Sequence, residues 1–147
     1  MNPRVGDAAP DIRSGSFQLA NLRGKRVVLF FFPKADTPGC TREACGFRDA
    51  SRRFAKLGVE IVGVSPDEAA AQNKFAAKYG FEFTFVPDPD HSIAEAYGVW
   101  KEKNMYGRKY MGIERTTFLI GADGKIEKIF PKVKPDGHAE QVLEALR

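Results

Sequence analysis

Apolar residues in the chain cluster in short bursts separated by polar, helix-patterned stretches. Arg26–Phe32 (RVVLFFF) is a continuous β-branched and aromatic run, the pattern of a strand buried on both faces, and Pro33 closes it. Ala44, Phe47, Ala50, Phe54 and Leu57 then recur at helical spacing, which predicts a helix over Thr41–Leu57 ended by Gly58. Val59–Val64 (VEIVGV) reads as a second buried strand. In the following segment Ser65 suits an N-cap, Pro66 a first helical residue and Glu68 a capping box, with Gly80 as the stop. Phe83–Val86 reads as a short strand and Ser92–Tyr97 as a short helix before Gly98. Arg115–Ile120 (RTTFLI) reads as a strand turning at Asp123–Gly124 into Lys125–Phe130, and His138–Leu146 as a closing helix capped by Asp136. Lys101–Gly112 (KEKNMYGRKYMG) is polar and shows no clear period, so it reads as a surface loop.

Strands alternating with helices pair in parallel, and a final hairpin must add antiparallel strands. The expected fold is α/β, a βαβ unit followed by a ββα unit in the thioredoxin-like arrangement, with a central mixed β-sheet and helices on both faces. No linker divides the 147 residues, so residues 1–147 are expected to form one domain. The formal net charge of +4 is spread among acids rather than gathered in a stripe, which argues against nucleic acid as a partner. The longest apolar run, VVLFFF, is too short to span a bilayer, and the first residues, MNPRVGDAAPDI, carry no apolar leader. A cytoplasmic protein with no membrane association is the expectation.

Composition narrows the chemistry to two thiols. Cys40 and Cys45 are the only cysteines, and in a reducing compartment such a pair is more often catalytic or redox-sensing than structural. Two cysteines without a neighbouring histidine make a poor zinc site, and His91 and His138 read as helix-terminus or surface residues. In TPGC, Thr37 is a favourable N-cap and Pro38 a favourable first residue, which puts Cys40 in the first turn of a helix. Unpaired backbone N–H groups and the positive end of the dipole favour an anion there, the usual setting of an activated cysteine nucleophile. Cys45 is open to two readings: a small core residue, or a second redox thiol. On a continuous helix the two Cα atoms stand about 8.6 Å apart, beyond the ~7 Å limit for a disulfide, so pairing requires the first turns to unwind.

PKADTPGC, from Pro33 to Cys40, resembles the Pro-x-x-x-Thr-x-x-Cys motif of peroxiredoxins. TREAC, with VGDAAPDI, VGVSPD, YGVWKEKNMYGRKYMGIERTTFLI and KVKPDGHAEQVLEAL, resembles the peroxiredoxin Q or bacterioferritin comigratory protein subfamily along the whole chain. The loop residues Ala35 and Asp36 depart from the family pattern. The resemblance implies a thiol peroxidase acting on hydrogen peroxide and organic hydroperoxides. In it Cys40 is the peroxidatic cysteine, Thr37 supplies a hydroxyl to thiolate and substrate, Pro33 shields the sulfur and Arg115 completes the pocket. Cys45 resolves the Cys40 sulfenic acid as a disulfide. It further implies thioredoxin or a similar dithiol reductant as partner, a monomer, and no metal, haem or flavin cofactor. Glu43 is expected to be a first-turn acid with no part in the chemistry, and Trp100 either lines the pocket mouth or packs. Two rival readings remain beside the peroxidase. A thiol–disulfide oxidoreductase is disfavoured by the absence of Cys-x-x-Cys, and a non-enzymatic redox sensor by the completeness of the Pro33, Thr37, Cys40 and Arg115 set.

Overall fold

The computed structural model describes residues 2–146. A small hairpin, β1 (Arg13–Ser14) and β2 (Phe17–Gln18), and a 3-10 turn over Leu19–Leu22 precede the main body, and the hydrophobic pattern does not announce any of them. The order then runs β3 (Arg26–Phe31), α1 (Pro38–Lys56), β4 (Val59–Ser65), α2 (Ala69–Tyr79), β5 (Thr84–Pro87) and α3 (Ser92–Ala96). It continues with β6 (Trp100–Met105), β7 (Arg108–Ile113), β8 (Thr116–Ile120), β9 (Ile126–Phe130) and α4 (His138–Leu146). Five strands form one sheet in the order β5-β4-β3-β8-β9, parallel through β3, β4 and β5 and antiparallel where β8 and β9 join. This is the expected thioredoxin-like α/β arrangement.

Two apolar layers sandwich this sheet. Alternation along β3 sends Val28 and Phe30 to one side, where they meet Phe47 and Phe54 of α1, Phe75 of α2 and Val142 and Leu143 of α4. Val27, Leu29 and Phe31 go to the other, against Ala94 of α3, Tyr97 and Ile113. Phe30 stacks on Phe47 with ring centroids 4.7 Å apart, which fixes α1 over the middle of the sheet. Gly63 of β4 makes this packing possible. A Cβ there would stand 2.8 Å from Phe30 Cζ and 3.0 Å from two Phe85 ring carbons.

Three expectations change. Ser65 does not cap α2. It is the last, fully buried residue of β4, its hydroxyl donates to Asp67 Oδ2 and accepts from Gln72 Nε2, and the helix begins at Ala69 after Glu68. Asp136 does not begin α4 either, but pairs with Arg42 at 2.9 Å. Lys101–Gly112 is a β-hairpin rather than a loop. Tyr106 and Gly107, at φ 53° and 78°, form its two-residue turn, a conformation that matches the twist of paired strands.

Candidate active site

The antiparallel register of β3 and β8 builds the site. Phe31 pairs with Thr116, so Arg115 lies beside the residues that leave the carboxyl end of β3 and climb into α1. The Val133 N–H donates to the Arg115 carbonyl at 2.8 Å and holds its backbone in place. The intervening turn is anchored at several points. Asp67 Oδ2 accepts from the Ala35 N–H at 2.7 Å. Asp36, at φ 61°, accepts from Lys78 Nζ at 3.0 Å and from the Tyr79 hydroxyl at 3.0 Å. These bonds hold the Asp36 carboxyl below its usual range, the Lys78 bond foremost. The two residues that depart from the family pattern are thus tied to α2 and the turn before it.

Thr37 is the N-cap of α1 with extended backbone, and its carbonyl accepts from the Thr41 N–H at 2.8 Å. Pro38 opens the helix and Cys40 falls in its first turn, 1% exposed. Arg115 Nη2 stands 3.4 Å from Cys40 Sγ, while Nη1 donates to Glu43 Oε1 at 2.6 Å. One guanidinium thus bridges the thiol and a carboxylate one helical turn further on, a fork that only arginine supplies. Gly39 leaves room for it, since a Cβ there would lie 3.3 Å from Arg115 Nη2.

Glu43 is a correction to the sequence reading. It is not a solvated first-turn acid but is buried, its side chain 0% exposed against 15% for Arg115. Burial raises its carboxyl to about 7 against the opposing pull of Arg115. Glu43 Oε2 has no hydrogen-bond partner. A carboxyl protonated near neutrality relieves that atom, whereas a full carboxylate leaves it desolvated. The signal available in the sequence was spacing: Glu43 lies three residues after Cys40, on the same helix face.

The remaining predicted residues fall as follows. The Thr37 hydroxyl donates to the Lys34 carbonyl at 2.8 Å, makes no capping bond and is not directed at the sulfur. Pro33 is half-buried in the loop between β3 and α1. Cys45 is a free thiol, half-buried and packed on the edge of the core, beside a groove lined by Arg42, Asp49, Pro135 and Ala139. Since α1 is continuous from Pro38 to Lys56, the Cα atoms of Cys40 and Cys45 keep the helical separation of about 8.6 Å. His138 begins α4 but is buried, not on the surface. Nε2 pairs with the Thr117 hydroxyl at 2.7 Å and Nδ1 with Gln141 Oε1 at 2.9 Å, and burial lowers its pKa. His91 stacks on Trp100 with centroids 4.1 Å apart, so Trp100 packs at the root of the β6–β7 hairpin. Among the described residues no group of three or more His, Cys, Asp and Glu could hold a metal ion. No described helix is long and apolar enough to cross a membrane.

Residues 5–129 match the model of the AhpC/TSA family. The chain is similar to Peroxiredoxin Bcp of Bacillus subtilis, 43% identical over 152 residues that cover 100% of this chain and 97% of that protein. It is as similar to Peroxiredoxin Bcp of Escherichia coli, 43% identical with 100% and 98% covered. Among solved structures it resembles the Xanthomonas campestris Bacterioferritin Comigratory Protein at 40% identity and a TM-score of 0.88, covering 99% of this chain and 95% of that one. A cysteine-to-serine mutant of Xylella fastidiosa PrxQ superposes with a TM-score of 0.90 at 37% identity, with 99% and 96% covered. By the family model over residues 5–129 and by relatives 43% identical along the whole chain, the chain belongs to the AhpC/TSA family, within its Bcp or peroxiredoxin Q branch of peroxiredoxins.

Proposed function

We propose that the protein is a thiol peroxidase in which the Cys40 thiolate reduces hydrogen peroxide and organic hydroperoxides. The observation that carries this reading is the Arg115 guanidinium 3.4 Å from Cys40 Sγ in the first turn of α1. Alkyl peroxide reduction by the similar Xanthomonas campestris protein supports it. The sulfur attacks the terminal oxygen of the hydroperoxide, an S–O bond forms and the O–O bond breaks. The electron pair of that bond leaves on the inner oxygen, which takes a proton and departs as water or an alcohol. Arg115 stabilises the sulfur anion before attack and presents N–H donors to the oxygen that gains charge. Because Cys40 is nearly inaccessible, the hydroperoxide head must enter end-on. Glu43 positions the guanidinium. In its protonated form it leaves the charge of Arg115 undivided for sulfur and leaving oxygen. Thr37 contributes by exchanging its Lys34 contact for one to the substrate, and Pro33 shields the sulfur from water.

Cys40 becomes a sulfenic acid, and the Cys45 thiol condenses with it, releasing water and leaving an intramolecular disulfide. The cycle closes when thioredoxin or a similar dithiol reductant exchanges with that bond in the cytoplasm, the protein acting as a monomer. One equivalent of hydrogen peroxide added to the reduced protein tests this order. Wild type is expected to lose two hydrogens with a peptide cross-linked from Cys40 to Cys45, and Cys45→Ser to gain one oxygen trappable by dimedone at Cys40. Oxidation of Cys45 in a Cys40→Ser variant at the wild-type rate would overturn the assignment.

A further inference from the structure

The β6–β7 hairpin ends at Ile113, two residues before Arg115, so its root borders the site. Three lysines sit on it with different surroundings. Lys101 pairs with Glu114 at 2.7 Å and Lys109 with Glu102 at 3.7 Å, and both are exposed to solvent. Lys103 is half-buried and has no hydrogen bond or ion pair with any described residue. Its cross-strand partner is Tyr110, yet its stem does not point to the hairpin tip. It lies back across Gly112, where a Cβ would stand 3.5 Å from Lys103 Cδ and 3.7 Å from Cε, with the Tyr110 ring alongside at 3.4 Å. Gly112 pairs with Lys101, so this direction leads toward the root and toward Arg115.

Burial holds the Lys103 ammonium below its ordinary pKa, the Arg115 charge adds to that, and the anionic form of Cys40 and Glu114 oppose it. Lys103 is therefore a second cation within electrostatic reach of both reacting groups. Arg115 directs one donor to Glu43 and one to the sulfur, whereas Lys103 keeps all three of its N–H donors free. A half-buried cation left unpaired beside another cation is unfavourable on its own and is relieved by an anion. On the same face of the hairpin Met105 and Tyr110 are exposed, apolar surface next to the charge.

Resting on the peroxidase reading, we propose that Lys103 is a specificity-determining residue that receives an anionic group, such as a carboxylate, on an organic hydroperoxide whose O–OH head is at Cys40. The enzyme then discriminates among hydroperoxides by charge, at a point separate from the reacting atoms. The test compares kcat/KM for cumene hydroperoxide with that for its para-carboxylate, which carries the same reactive head. Each is measured in wild type, Lys103→Gln, Lys103→Arg and Lys101→Gln. The ratio of carboxylate to neutral substrate is expected to fall about tenfold in Lys103→Gln, the worth of one charge-assisted hydrogen bond. It should recover in Lys103→Arg and stay at the wild-type value in Lys101→Gln. An unchanged ratio in Lys103→Gln, whether both rates hold or both fall together, would overturn the proposal. Turnover of neither substrate by wild type would instead overturn the peroxidase reading beneath it.

Discussion

Glu43 offers a perturbation whose size follows from the structure. Burial lifts its carboxyl from 4.5 to about 7, with Arg115 pulling the other way. In the unfolded chain the group ionises at its ordinary value. Between the two values the folded protein therefore holds a proton that the unfolded chain has released. Stability must fall as pH rises through that window, and the loss is complete above the folded value. One proton is worth at most about 1.4 kcal/mol per pH unit, so the window removes about 3 kcal/mol. Glu43→Gln keeps an acceptor for Arg115 Nη1 but does not titrate. Both proteins are best compared with Cys40→Ser added, which takes the thiol beside Arg115 out of the comparison. Urea unfolding followed by the single tryptophan, Trp100, is measured from about pH 5 to about pH 8. His138, buried with a lowered pKa, titrates in both proteins and cancels in the difference. The stability of the protein that keeps Glu43 minus that of the Glu43→Gln variant should fall by about 2.5 kcal/mol across the range. Parallel curves would show that Glu43 is already a carboxylate locked to Arg115 at low pH, and would refute the claim that burial outweighs the ion pair.

Arg115→Met should retain the fold and lose about 10²–10³ in peroxidase rate, because the leaving oxygen loses its fixed donor; near-wild-type turnover of hydrogen peroxide would remove Arg115 from the pocket. Oxidation should unwind the start of α1, since the helical separation of the two Cα atoms exceeds disulfide reach and the first N–H groups have no intrahelical partner to lose. Hydrogen exchange of amides near Cys40 and Cys45 should accelerate in the disulfide form, with little change beyond Phe47, whose ring is held against Phe30. Equal protection in both forms, with the Cys40–Cys45 bond confirmed, would mean the thiols meet without unwinding.

The parts of the fold legible in the sequence are those whose burial is one-sided or total. RVVLFFF and VEIVGV are buried on both faces and announce themselves as apolar runs. The stripe from Ala44 to Phe54 marks the one face of α1 that meets the sheet. The β6–β7 hairpin was illegible because its strands, WKEKNM and RKYMGI, are mostly exposed on both faces and so carry no alternation. Ser65 misled for a different reason: a hydroxyl that suits a cap equally suits a buried network with Asp67 and Gln72, and only the sheet register decides. In the site, Cys40 and its helix N-terminus follow from local residues, as Thr37, Pro38 and their order fix the first turn. Glu43 could not be read as buried, because its partner Arg115 lies seventy-two positions away and only the pairing of β3 with β8 brings it close.

The central claim, that Cys40 performs the chemistry and Cys45 follows it, is tested most directly by peroxide consumption with a dithiol reductant present. Wild type, Cys40→Ser and Cys45→Ser are compared at equal concentration. The account predicts sustained turnover by wild type, none by Cys40→Ser, and by Cys45→Ser one rapid equivalent of peroxide followed by a rate limited by direct reduction of the sulfenic acid. Sustained turnover by Cys40→Ser would contradict it.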